Sequence, residues 1–195
     1  MRFVSARCTV AAHEAALPLR GTAPRAERWL IVEQRIAFAG RALDSENLDP
    51  GLRSALHSAE ASVLLARRDR HDHSPERFWY TDLSGGQGLV TGQVADLVEA
   101  LLAGAPVSQA AAGPAEPLAF VCTNGRRDQC CAIEGLALLR ELPSEVDAWE
   151  CSHIGGHRFA PTVLLPSTGY VYGRVSPNLL RAALDAAALE SITVE

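Results

Sequence analysis

Two packets of soft ligands in the stretch from Leu118 to Pro161 constrain this chain more than any other feature. The stretch reads LAFVCTNGRRDQCCAIEGLALLRELPSEVDAWECSHIGGHRFAP and holds four of the five cysteines. The first packet is Cys122, Cys130 and Cys131; the second is Cys151, His153 and His157. Each follows a short apolar run of strand type. Thiolates and imidazoles gathered at strand ends point to a soft-metal site, for which the rest of the chain reads as scaffold.

That scaffold alternates strand and helix. Trp29–Glu33, Val63–Ala66 and the aromatic-rich Arg77–Asp82 have the length and residue types of strands. Leu52–Ala61 and Val90–Leu102 read as helices, the second closed by Gly104 and Pro106. Residues 104–117, GAPVSQAAAGPAEP, have linker composition. They divide the chain into an N-terminal α/β region, 1–112, and a C-terminal domain, 113–195. Beyond the linker, Leu118–Val121 predicts a strand, residues 123–129 a polar loop, and Ala132–Leu142 a helix stopped by Pro143. Asp147–Glu150 is a further strand. Thr162–Leu165 and Tyr170–Val175 form a hairpin around Pro166–Gly169. Ser176 then caps a helix with Pro177 at its first position. Leu179, Leu180, Ala183, Leu184 and Ala187 repeat along it at helical spacing. The two regions share a similar element order, consistent with a distant internal duplication.

The order of the C-terminal domain, strand–helix–strand and then a hairpin and a helix, resembles the thioredoxin fold. The local match is closest at Ala160–Leu165, where the resemblance implies a cis bond before Pro161. The fold class expected is therefore α/β, with a thioredoxin-like fold in the C-terminal half, which the family resemblance given below makes a thioredoxin-like ferredoxin fold, and an α/β N-terminal half of similar element order.

Composition narrows the function. A net charge of −5 leaves no basic footprint for nucleic acid. Five cysteines are an odd number and too few for a disulfide scaffold. Clustered with histidine, they fit a reducing compartment. No apolar run approaches the ~20 residues of a membrane span, and the N-terminus lacks a signal-peptide core. The expectation is a soluble cytoplasmic protein. Residues 1–25 carry little periodic signal, and Cys8 and His13 within them read as incidental. His71 and His73, flanking Asp72, read as a solvated loop.

Within the packets several ligand sets remain open. A [2Fe-2S] cluster needs four protein ligands, two per iron. Gly155 and Gly156 permit the turn that brings His153 and His157 together, and they argue against a helix there. Cys130 and Cys131 compete for one role, because adjacent side chains diverge. Cys131 sits near the helix start, where the dipole favours thiolate. Cys130 is then a buried thiol, a spare ligand or a redox group. Cys151 shares a strand face with His153 and stays a candidate.

The segments CTNGRRDQCCA at 122–132, WECSHIGGHRFAP at 149–161 and VYGRV at 171–175 resemble the sucrase/ferredoxin-like proteins, a branch of the thioredoxin-like [2Fe-2S] ferredoxins. Gly21–Thr22–Ala23 and the WLIVE run are similar to that family's N-terminal half. Asn124, where the family pattern has His, is the clear departure. The resemblance implies a [2Fe-2S] cluster held by Cys122, Cys131, His153 and His157, with Cys130 and Cys151 as close neighbours or alternate ligands. The function expected is electron transfer, with proton coupling through the histidines, to redox partner proteins as yet unidentified. The chain reads as a carrier rather than an enzyme. Arg126, Arg127 and Arg158, beside ligand positions, suit an acidic partner. Two alternatives stand beside it. A thiol–disulfide oxidoreductase is disfavoured by the lack of any CxxC. A structural Cys2His2 zinc site is the other.

Overall fold

Trp29, Leu30, Ile31 and Val32 are all buried, as expected of a strand covered on both faces. The computed structural model, which describes residues 7–192 except 25, 69 and 70, places them in a nine-stranded sheet. The strands are β1 (Arg28–Glu33), β2 (Ser62–Arg67), β3 (Arg77–Asp82), β4 (Gln87–Gln93), β5 (Gly113–Pro114), β6 (Ala119–Cys122), β7 (Ala148–Cys151), β8 (Thr162–Leu165) and β9 (Tyr170–Gly173). Their order is β5-β4-β3-β1-β2-β7-β6-β8-β9. The α-helices are α1 (Cys8–Glu14), α2 (Pro50–Ser58), α3 (Val94–Leu102), α4 (Gln129–Glu141) and α5 (Pro177–Ile192).

One connectivity occurs twice. β1 runs parallel to β2 and antiparallel to β3, which pairs with β4. β6 likewise runs parallel to β7 and antiparallel to β8, which pairs with β9. α2 and α4 link the parallel pairs, and α3 and α5 follow the hairpins. The two sets join where β2 meets β7 antiparallel, Ala66 opposite Cys151.

Several elements differ from the sequence reading. The stretch read as a helix from Val90 begins as β4, and α3 starts only at Val94. A short apolar run does not reveal its period. What decides is pairing: Val90 lies opposite Tyr80 and Gly92 opposite Phe78, and the Thr91 hydroxyl donates to the Phe78 carbonyl. A Cβ at Gly92 would lie 2.7 Å from the Phe78 ring, so this close crossing requires glycine. The addition of β4 completes the match between the two halves. Within the linker-like segment, Gly113–Pro114 adds to the edge of β4 and Val107–Ala110 forms a 3-10 turn. α2 starts at Pro50, where the Asp49 carboxylate accepts from the Leu52 N–H. α4 starts at Gln129 rather than Ala132, capped by Asp128. Finally, α1 forms in a segment without clear periodicity.

Alternate residues of the strands feed opposite faces. On one face Leu30, Val32, Leu65 and Phe78 pack under α2 and α3, and Val121, Val163 and Leu165 under α4 and α5. On the other, Trp29, Ile31, Leu64, Trp79, Phe120, Trp149 and Leu164 form one cluster that spans both halves. Trp79 on β3 touches Trp149 on β7, ring centroids 4.8 Å apart, although two strands lie between them. A flat sheet would separate those strands by roughly 14 Å. The sheet therefore curls around this shared apolar face. Cys122, Cys131 and Cys151 belong to this buried cluster.

Candidate metal centre

Because β6 and β7 are parallel neighbours with Cys122 opposite Cys151, both ligand-bearing loops leave from the same end of the sheet. The Thr123 N–H donates to the Cys151 carbonyl and holds the two exits together. The chain then turns into α4. Asp128 accepts from the Cys130 N–H at 2.8 Å, and its carbonyl accepts from the Cys131 N–H. This first turn sends the two adjacent cysteines to different neighbours. Cys131 reaches back to Cys122 and His153, whereas Cys130 reaches α1. In the second loop Gly155 (φ +117°) and Gly156 (φ +67°) adopt left-handed geometry, which brings His157 back toward His153. The two imidazoles stack with centroids 6.0 Å apart. The Ala160–Pro161 bond that follows is cis, as the thioredoxin resemblance implied.

Three donor atoms meet first. Nδ1 of His153 lies 3.7 Å from Cys122 Sγ and 3.6 Å from Cys131 Sγ, and the three donor atoms all fall within 4.8 Å of one another. Both sulfurs are buried and His153 is half-buried. A hydrogen bond from Cys131 holds the Cys122 thiol well below its usual pKa, against burial and with help from His153. The same hydrogen bond pushes Cys131 up, as does its burial. The two shifts run in opposite directions, as in a pair of sulfurs that share one proton. Such a pair offers one ready ligand and one that must first lose a proton.

His157 falls into a second group. Its Nε2 lies 3.7 Å from the Asp128 carboxylate, and Cys8 completes a triad whose donor atoms all fall within 4.8 Å of one another. Burial works against the Asp128 carboxylate, but the Cys130 N–H and side chain and the nearby His157 hold its pKa below the ordinary value. Cys8 comes from α1 and sits 3.0 Å, sulfur to sulfur, from Cys130. Burial and the proximity of Cys130 and Asp128 push the Cys8 thiol up to about 12. Of the four residues implied by the resemblance, Cys122, Cys131 and His153 are thus in mutual reach, and His157 stands one stacked ring away. Cys130 faces away from them. Cys151 is fully buried in the apolar cluster, where burial pushes its thiol far up.

The supporting shell is mostly polar and ties the site to the N-terminal half. Asn124 is buried; its amide donates to the Ala39 carbonyl and accepts from the Arg127 N–H. The Thr123 hydroxyl donates to Glu150, which also pairs with Arg67 at 2.9 Å. Arg126, Arg127 and Arg158 are exposed beside the loops, Arg158 lying over the Phe159 ring. His13 is exposed on α1, and His71 and His73 lie in an exposed segment well away in the chain. The sequence reading passed over Cys8 and Asp128. Asp128 carried a signal, as a capping residue before an apolar run; Cys8 carried none, since only the fold brings it near.

A family model described as sucrase/ferredoxin-like matches residues 19–194. No curated protein and no solved structure gives a significant match. Among the described residues no helix is long and apolar enough to cross a membrane.

Proposed function

Given that the chain belongs to the sucrase/ferredoxin-like family, we propose that it is a cytoplasmic electron-transfer protein whose thioredoxin-like C-terminal half binds a [2Fe-2S] cluster through Cys122, Cys131, His153 and His157. The observation that carries the reading is the convergence of the two sulfurs on Nδ1 of His153 at 3.6–3.7 Å, with the His157 ring stacked beside it. Two thiolates and two neutral imidazoles are a donor set that [2Fe-2S] centres use. Bound there, a [2Fe-2S] cluster supplies a reversible one-electron couple.

The chain's own residues set how that couple is presented. Of the two sulfurs Cys122 is the one whose proton is the more easily lost, and loading would require Cys131 to give up its proton as well. Burial of both sulfurs limits access of water and oxidants. Each histidine keeps one ring nitrogen for a proton; on His157 Nε2 faces Asp128 at 3.7 Å. With a cluster bound through the histidines, a proton held more tightly after electron uptake would link the two events, and the midpoint potential would fall as pH rises, by at most about 59 mV per unit for one proton per electron. The exposed Arg126, Arg127 and Arg158 suit an acidic redox partner.

Protein prepared anaerobically should be red-brown, with about two irons and two sulfides per chain. A potential constant from about pH 6 to 10 would remove the proton-coupled part of the reading. One observation favours a second reading. Donor atoms 3.6–3.7 Å apart suit a single tetrahedral ion with bonds of about 2.0–2.3 Å. A colourless protein with stoichiometric zinc after careful iron reconstitution would replace the cluster by a structural zinc site.

A further inference from the structure

The fifth cysteine lies outside both packets in sequence and beside the site in space. Cys8 Sγ and Cys130 Sγ are 3.0 Å apart, closer than two sulfurs in ordinary contact, though they stand on helices α1 and α4 and lie 122 residues apart in the chain. Other interactions hold them there. Arg7 pairs with Glu134 of α4 at 2.7 Å, and the Arg174 guanidinium donates to the Ala12 carbonyl of α1. The Thr9 hydroxyl donates to Cys130 Sγ at 3.6 Å. To bond, the two sulfurs need to close by about 1 Å, from 3.0 Å to disulfide length. Access distinguishes this pair from the others. Cys8 is half-buried, whereas Cys122, Cys130, Cys131 and Cys151 are buried, so a reagent from solvent meets Cys8 first.

We infer that Cys8 and Cys130 form a redox-active dithiol that small disulfides oxidise to an intramolecular bond, clamping α1 to the start of α4. In the first exchange the Cys8 sulfur gives up its proton and attacks the external disulfide RSSR. The S–S bond of RSSR breaks, a Cys8–S–S–R bond forms, and one RSH leaves with the proton. In the second, the Cys130 sulfur loses its proton and attacks the Cys8 sulfur. The mixed disulfide breaks, the Cys8–Cys130 bond forms, and a second RSH leaves. Two electrons and two protons pass from the dithiol to RSSR. α1 packs against the His157–Phe159 turn, so the clamp closes beside the His157 side of the metal centre. The inference does not depend on which metal, if any, that centre holds.

The Cys8 thiol is held protonated, so exchange is slow and the test is one of equilibrium. Full-length protein is equilibrated anaerobically over a series of reduced-to-oxidised glutathione ratios, quenched in acid, alkylated and digested with trypsin. The visible spectrum, recorded in parallel, reports the metal centre separately. The expected result is a peptide running from Cys8 to Arg20 joined to one running from Asp128 to Arg140, with fragmentation placing the link at Cys130. Its yield should rise from near zero to most of the protein as the buffer becomes oxidising, and reverse on reduction. Cys8→Ser should abolish it. No linked peptide in the most oxidising buffer, a link to Cys131 instead, or Cys8 carrying only glutathione would each overturn the inference.

Discussion

At the scale of single residues, Cys130 and Cys131 show how one peptide unit separates two chemistries. Asp128 caps α4, and the first helical turn then aims Cys131 at Cys122 and Cys130 at Cys8. Cys131→Ser should therefore abolish or cripple metal binding, while Cys130→Ser should retain it, with at most the 10–100-fold loss of affinity typical of a neighbour to a ligand. Iron and sulfide content of the two variants, prepared side by side, measures this; intact binding in Cys131→Ser and none in Cys130→Ser would move the ligand to Cys130. Much of this was legible in sequence, because adjacent side chains on a helix diverge. The partner of Cys130 was not. Cys8 sits in a segment without periodic signal, and its meeting with Cys130 depends on where α1 packs.

At the scale of elements, α4 lies so close to β6 that Gly135 rests on the Cys122 carbonyl, and a Cβ there would collide with that backbone oxygen. Alanine would gain about 1 kcal/mol of helix propensity at this position. Overpacking against backbone costs typically 1–3 kcal/mol, so Gly135→Ala should still destabilise the protein, by up to about 2 kcal/mol. It should also loosen metal retention, because the helix carrying Cys131 must shift relative to the strand carrying Cys122. Denaturant midpoints and metal content of the variant check both, and a stabilised variant would show that the helix has room. Most elements were legible: β1, β2, β3, β6, β7 and the β8–β9 hairpin announce themselves by apolar runs and turn residues. β4 was not, because its character comes from pairing with β3 rather than from its own residue pattern.

At the scale of the whole molecule, the two halves repeat a connectivity and yet share one apolar face. Trp79 belongs to the first half and Trp149 to the second, and they touch at 4.8 Å within a cluster that runs across the β2–β7 seam. Separating the halves would expose that face on each. The chain should therefore unfold in one cooperative transition, with near-ultraviolet dichroism and helical signal changing together in urea. Two resolved transitions, or a stably folded fragment 113–195, would show that the halves stand independently. The family, the two ligand packets, the turn glycines between His153 and His157, and the element order of the C-terminal half were determined by the sequence alone, since these rest on residue identity and short-range periodicity. Tertiary structure decided the rest: the joining of both halves into one curled sheet, the tethering of the site by Asn124 to the N-terminal half, the division of the cysteines into a Cys122–Cys131 pair and a Cys8–Cys130 pair, and the placement of His157 beside Asp128. Each of these is a contact between residues far apart in the chain. Such contacts follow from how apolar faces pack, and no local pattern encodes their register.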